Sequence, residues 1–400
     1  MPRASVPPNP TPQSSSGPAS LEPGPKQRAR DRARSADEWR NPRVARNVFL
    51  WPALVVVLLL AIFPLIASLG LALSNVQLAQ GGFSIKFTGF ANFNNLLFGA
   101  ERNIFLGQFR PPTILGWALF TGGAALMAYL LIRYLRSGRV SMVGLVGRAI
   151  GIALLTAFLW MLANTLFGDG GRPGTLTVTT LYVVLGTSLE YLIGLGLAWL
   201  TIQHLSGQRF FRVVFLLPIT VTPVGIAYMF RMLTDNQSGP FAPLFAAVGM
   251  SNFAVLGDPW GARLAVIIGD VWQWIPFMFI VLLAGLEGRD IETEEAALVD
   301  GAGRWAIFRH ITLPMIIPVS ATVILIRMIE AFKIIDLPSV LTGGGPGTAS
   351  QSVTLQAFQS WRAFNLGSSA AVAYSLLIFV TVIATAYARL VLPRTHRANA

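Results

Sequence analysis

The sequence has no cysteine and only three histidines, which excludes disulfide scaffolds, thiolate metal sites and cysteine nucleophiles. Charge is the next scarcity. Only 12% of the 400 residues are Asp, Glu, Lys or Arg, where an ordinary soluble domain carries about 25%. Acidic residues are the scarcer sign, 18 against 30 basic, for a net charge of +12. A basic chain can bind nucleic acid, but that needs a folded basic face, and here the arginines sit beside apolar spans. No nucleic-acid partner is therefore expected. What the chain has in excess is apolar residues, 54% of the total, with a mean hydropathy of +0.60. That composition describes a membrane protein whose first partner is lipid.

Residues 1–47 hold Pro2, Pro7, Pro8, Pro10, Pro12, Pro18, Pro23 and Pro25 among Ser and Gly, followed by an arginine-rich run from Lys26 to Arg46. Such a segment cannot bury enough apolar surface to offset its ordering entropy, so it reads as a disordered basic cytoplasmic tail. The uncharged run from Val48 to Leu73 exceeds the apolar core of a secretory signal, roughly 7 to 15 residues. It reads as an uncleaved first span, with an external loop to residue 113. Further spans are expected at 114–132, 149–168, 178–202, 213–233, 263–285, 315–336 and 370–391, each near the roughly 20 residues that cross a bilayer. The expected fold is all-α with eight transmembrane helices. Arginine places the loops: Arg40, Arg43 and Arg46, then Arg133, Arg136, Arg139 and Arg148, Arg209 and Arg212, Arg289, Arg304 and Arg309, and Arg394 and Arg397 all fall on one side. Short cytoplasmic loops carry such an excess, so both termini are expected in the cytoplasm.

One connection carries more information than the rest. Residues 286–313 contain Glu294-Glu295-Ala296-Ala297, Asp300-Gly301-Ala302 and Ile311-Thr312-Leu313-Pro314. Physically this reads as a short helix with acidic residues at its positive end, a glycine turn, and a second helix with Trp305, Phe308 and Ile311 leading to Pro314 at the start of a span. At this spacing the segment resembles the EAA loop of the integral-membrane permease subunits of binding-protein-dependent ABC importers. Met328-Ile329-Glu330-Ala331-Phe332-Lys333 and Leu341-Thr342-Gly343-Gly344-Gly345-Pro346-Gly347 are similar to the sugar-uptake, maltose-type branch, as are Phe210-Phe211-Arg212 and Leu216-Leu217-Pro218. Where relatives often show Ile-Pro before the motif, this chain has Arg289-Asp290.

The resemblance implies a type I importer permease with a six-helix core. Residues 178–392 and the first span would supply that core, and the helix pair within 114–168 would be an insertion. It implies that Glu295, Ala296, Ala297, Asp300, Gly301, Ile311, Leu313 and Pro314 couple to a cytoplasmic ABC ATPase dimer. The chain has no Gly-x-x-x-x-Gly-Lys-Ser/Thr loop. ATP and Mg are accordingly expected on that separate ATPase, with no cofactor or metal bound by this chain. A second, non-identical permease subunit and an extracytoplasmic solute-binding protein complete the implied complex, placed in a bacterial plasma (inner) membrane.

Charged residues inside spans are costly and mark candidate pathways. Glu190, Asp270 with Gln273 and Trp274, and the stripe Arg327, Glu330 and Lys333 qualify. The stripe has two readings, a set of ion pairs within one helix or a pathway lining. Thr220 and Thr222 lie between Pro218 and Pro223, where the helix either kinks or opens onto a cavity. These carboxylates would also suit an ion-coupled secondary transporter, the alternative to an ATP-driven sugar permease. An enzyme is the remotest reading, because no convergent nucleophile, base or metal cluster is visible.

Overall fold

A computed structural model describes residues 42–397 apart from 80–81, 137–141, 168–170, 204–206, 248 and 250–253. The expected tail, residues 1–47, lies almost wholly outside the described residues. The chain divides into two units, Met1–Ala67 and Ser68–Ala400. In the first, helix α1 (Pro42–Val57) runs into a π-helical turn, Leu58–Ile62, and then into α2 (Phe63–Ala72), which ends in the second unit.

Among the described residues six helices are long and apolar enough to cross a membrane: Leu50–Ala72, Ile114–Leu135, Thr175–Thr201, Pro259–Glu287, Arg304–Ala331 and Leu366–Arg389. A bent pair makes seven if counted as one span. Within the second unit we number α4 (Ile114–Leu135) and α5 (Met142–Thr165) after α3 (Ala91–Leu97), then α6 (Thr175–Thr201). The bent pair is α7 (Gln208–Thr220) and α8 (Pro223–Leu233), followed by α9 (Pro259–Glu287) and α10 (Ile291–Val299). The short helix α11 (Arg304–Ile307) passes through a π-helical turn, Phe308–Thr312, into α12 (Leu313–Ala331). Last come α13 (Val353–Arg362) and α14 (Leu366–Arg397).

Helix α9 is the centre of the second unit: 61% of its most apolar window is buried inside the protein, and it packs on α6, α7 and α12. One core surrounds its Pro259 end, with Tyr182, Ile226, Val266 and Leu337; another surrounds its Glu287 end, with Met278, Leu282, Leu286, Phe308 and Ile316. The α6–α9 crossing depends on Gly194, where an added Cβ would stand 2.7 Å from the Cβ of Met278.

Two expectations need correction. The fold is not purely helical, because the loop at 74–113 contains an antiparallel hairpin of β1 (Ser74–Ala79) and β2 (Gly82–Phe87). A second pair, β3 (Gly107–Gln108) and β4 (Arg172–Pro173), joins the two ends of the α4–α5 hairpin. The alternation Val76, Leu78 and Phe83, Ile85, Phe87 carries the period of two that strands require. The span expected at 213–233, where a kink is one of the two readings, is bent by 97° between α7 and α8. Pro223 drives the preceding Thr222 out of the helical region to φ −66°, ψ 142°. The Thr222 hydroxyl then accepts the Gly225 N–H at 3.3 Å, starting a new helix. Finally, α12 ends at Ala331, so Lys333 lies beyond it. The hydroxyl of Ser352 donates to the Ile334 carbonyl at 2.7 Å, satisfying a backbone group that no further helical turn pairs.

Candidate functional site: a buried ion cluster and an interhelical connector

The first site lies where α6, α9 and α12 meet. Arg327 donates from Nε to Glu190 Oε2 at 2.7 Å and from Nη2 to Glu190 Oε1 at 2.8 Å. The same Nη2 also donates to Asp270. The three side chains are buried, with exposures of 1%, 0% and 6% for Arg327, Glu190 and Asp270. The indole of Trp274 lies under the guanidinium, 4.7 Å from ring centre to Cζ. Three separate helices thus hold one guanidinium between two carboxylates. Buried charge is tolerable only with such partners, and the fork of Arg suits a carboxylate held edge-on. A Cβ at Gly186 would lie 3.4 Å from Asp270 Oδ2, at ordinary contact distance. One turn away, the Thr187 hydroxyl is buried with no hydrogen-bond partner among the described residues.

The expected stripe on α12 is therefore divided. Arg327 faces other helices, whereas Glu330 pairs with Lys333 at 2.7 Å, with 42% and 59% of their side chains exposed. Gln273 is buried one turn from Asp270. Thr220 and Thr222 stand apart at the bend, where the Thr220 hydroxyl donates to the Leu217 carbonyl at 2.7 Å. Sequence reasoning named the members of the cluster without their pairing. The available signal was that lone charges in separate spans must find each other.

The second site is the connector between α9 and α12. Asp290 caps α10, accepting the Glu292 N–H at 3.1 Å and the Thr293 hydroxyl at 3.0 Å. Glu295, Ala296 and Asp300 are exposed and Ala297 is half-buried. Gly301 ends the helix at φ +81°, a left-handed conformation that disfavours any other residue. A Cβ at Gly301 would meet nothing within 4 Å, so backbone angle, not crowding inside the chain, demands glycine. Ile311, Leu313 and Pro314 lie on the run into α12, with Ile311 and Leu313 half-buried.

Two features of this connector were not foreseen. Trp305 stacks on Phe308 at 5.4 Å and Phe308 meets Trp199 of α6 at 5.0 Å, which seats the connector on a third helix. Arg289 forms a fork with Glu294, Nε to Oε1 at 2.6 Å and Nη2 to Oε2 at 3.0 Å. Burial alone would raise the Glu294 pKa. The hydrogen bonds from Arg289 and Thr312, together with the guanidinium charge, outweigh that effect and hold the carboxyl below the usual carboxylate range.

Residues 190–397 match the family of binding-protein-dependent transport system inner membrane components. The chain is 36% identical over 206 residues to a trehalose/maltose transport system permease protein of Thermococcus litoralis, spanning 52% of this chain and 69% of that one. It is 33% identical over 220 residues to a trehalose transport system permease protein of Mycobacterium tuberculosis, spanning 54% and 68%. The crystal structure of a bacterial alginate ABC transporter, in complex with its alginate-loaded periplasmic protein, contains a chain of similar fold. Its TM-score is 0.50 at 21% identity, over 55% of this chain and 77% of that one. The matched stretch opens at Glu190 of the buried cluster and includes the whole connector, and the chain accordingly belongs to the binding-protein-dependent transport system inner membrane components, as a permease subunit of such an importer.

Proposed function

We propose that this chain moves a sugar inward through the membrane, driven by ATP hydrolysis on a separate cytoplasmic ABC ATPase dimer. A second, non-identical permease subunit would complete the pathway, and an extracytoplasmic binding protein would deliver the sugar. The observation that carries the sugar reading is the likeness to permeases named for trehalose and maltose. In this reading α10 and the turn at Gly301 enter the ATPase, with Glu295, Ala296, Ala297, Asp300, Ile311, Leu313 and Pro314 shaping the docked segment. Glu190, Asp270, Gln273, Trp274 and Arg327, the threonines at the bend, and Glu330 with Lys333 border or support the route. The chain would cross the bilayer eight times, with α5 as one crossing and α4–α5 inserted into a six-helix core of the inner membrane. Both termini and the connector would face the cytoplasm. The hold of Arg327 on both carboxylates supports the ATP-driven reading over an ion-coupled one, because neither carboxylate stands free to take a cation.

The test is uptake by vesicles containing the complete complex. Labelled trehalose and maltose, presented with the binding protein, should accumulate on ATP addition after proton and sodium gradients have been collapsed. Uptake that stops with the gradients at constant ATP would overturn the proposal. Topology is checked with Ser238→Cys and Ser137→Cys in the otherwise cysteine-free chain. An impermeant thiol reagent should label the first and not the second in intact cells.

A further inference from the structure

Helix α10 is fastened to the rest of the chain by more than its two peptide connections. Arg289 donates from Nη1 to the Leu286 carbonyl at 2.5 Å, a group in the last turn of α9. Its other donors hold both carboxylate oxygens of Glu294, in the first turn of α10. Glu294 Oε1 also accepts the hydroxyl of Thr312 at 2.7 Å, and Thr312 is the buried residue that leads into α12. One carboxylate therefore ties α10 to the ends of two long helices at once. The tie is shielded, with 16% and 15% exposure for Arg289 and Glu294, and Leu286 beneath it is fully buried in the core around the Glu287 end of α9. A bidentate, partly buried pair is stiff in a way that a solvated one is not. Its neighbour Glu295 is exposed and has no ion pair among the described residues.

The geometry points to a division of labour between adjacent glutamates: Glu295 faces the ATPase, while Glu294, clamped by Arg289 and Thr312, is a positioning residue that makes α10, the end of α9 and the start of α12 move as one body. The inference rests on the coupling role proposed above. Without the clamp, α10 could still dock, but its displacement would be absorbed by the turn at 288–290 and by Gly301 before reaching the spans.

The experiment uses the full complex, with a single cysteine at Thr220 as a reporter of the bend between α7 and α8 and ATP with vanadate to trap the ATPase. Arg289→Ala and Glu294→Gln should still assemble with the ATPase and hydrolyse ATP within about twofold of wild type. They should lose about fivefold or more of the ATP-driven change in maleimide labelling, a coupling loss in the usual range. Thr312→Val should lose about twofold, since one of the ties remains. A wild-type labelling response in both Arg289→Ala and Glu294→Gln would overturn the clamp, and so would loss of ATPase binding in them, which would make these residues docking contacts. Glu295→Lys and Gly301→Leu separate the two ideas. If both keep wild-type hydrolysis and labelling, the coupling role itself fails; if they lose them while the clamp variants stay normal, only the clamp fails.

Discussion

The ion cluster around Arg327 and the pair Glu330–Lys333 lie within two turns of each other in sequence and use the same chemistry. In the first, the charges are sealed among three helices; in the second they are open to their surroundings. The difference teaches that charge near a membrane helix has no fixed meaning until its neighbours are known. In the cluster, each charge has been stripped of solvent and depends on its partners, so loss of one leaves an uncompensated charge. In the exposed pair, either residue can be resolvated.

The largest effect expected from this contrast follows removal of Arg327. Arg327→Met leaves Glu190 and Asp270 facing each other, and should cost about 3–5 kcal/mol, read as lost yield and lower thermal stability of the detergent-solubilised protein. The triple variant Arg327→Met, Glu190→Gln, Asp270→Asn should recover most of that stability, because apolar or neutral groups of similar volume replace buried ion pairs at little cost. If the single variant is as stable as wild type, the cluster is not a closed unit. Next in size is Gly194→Leu, which forces α6 and α9 apart and should cost about 1–3 kcal/mol in the same melting assay. Glu330→Ala should change stability by less than about 1 kcal/mol, as for other exposed pairs. A large loss there would place Glu330 in a buried setting and erase the contrast.

The smallest effect concerns acid. Glu294 has a depressed pKa in the folded chain, so its contribution is fully present above the ordinary glutamate range and is lost as pH falls through the depressed value. Hydrogen exchange in α10 should therefore differ between wild type and Glu294→Gln at neutral pH. The two should converge only below the usual carboxylate range. Convergence near neutrality would contradict the fork.

How much of this was legible in sequence depends on the distance over which each feature is encoded. Spans are written in contiguous hydropathy, and the second, sixth and eighth expected segments lie within the observed helices. The turn at Gly301 is local too, since an acidic helix followed by glycine specifies a C-terminal cap. The Arg327–Glu190 fork joins residues 137 positions apart, and no local pattern specifies it. Spacing alone suggested that Arg327, Glu330 and Lys333 would pair along one helix; Glu330 and Lys333 do pair, while Arg327 turns to Glu190 and α12 stops at Ala331. The hairpin at 74–87 was written in alternation but hidden by the prior that everything between spans is loop. Arg289 and Glu294 are five residues apart, and only the fold of the turn between them brings the fork together.

The short β3–β4 ladder has a consequence for how such a protein can change over generations. It sets Gly107 opposite Pro173 and Gln108 opposite Arg172, and facing residues in an antiparallel ladder are about 5 Å apart. The Thr113 N–H and hydroxyl both donate to the Phe167 carbonyl just inside it. The chain leaves for α4 and returns from α5 through nearly the same point. A deletion of both helices could therefore be closed by a residue or two, and a different hairpin could be spliced in without stretching α6 or what precedes it. The ladder works as a seam, a place where ancestry can add or remove a pair of helices while the remaining helices keep their register.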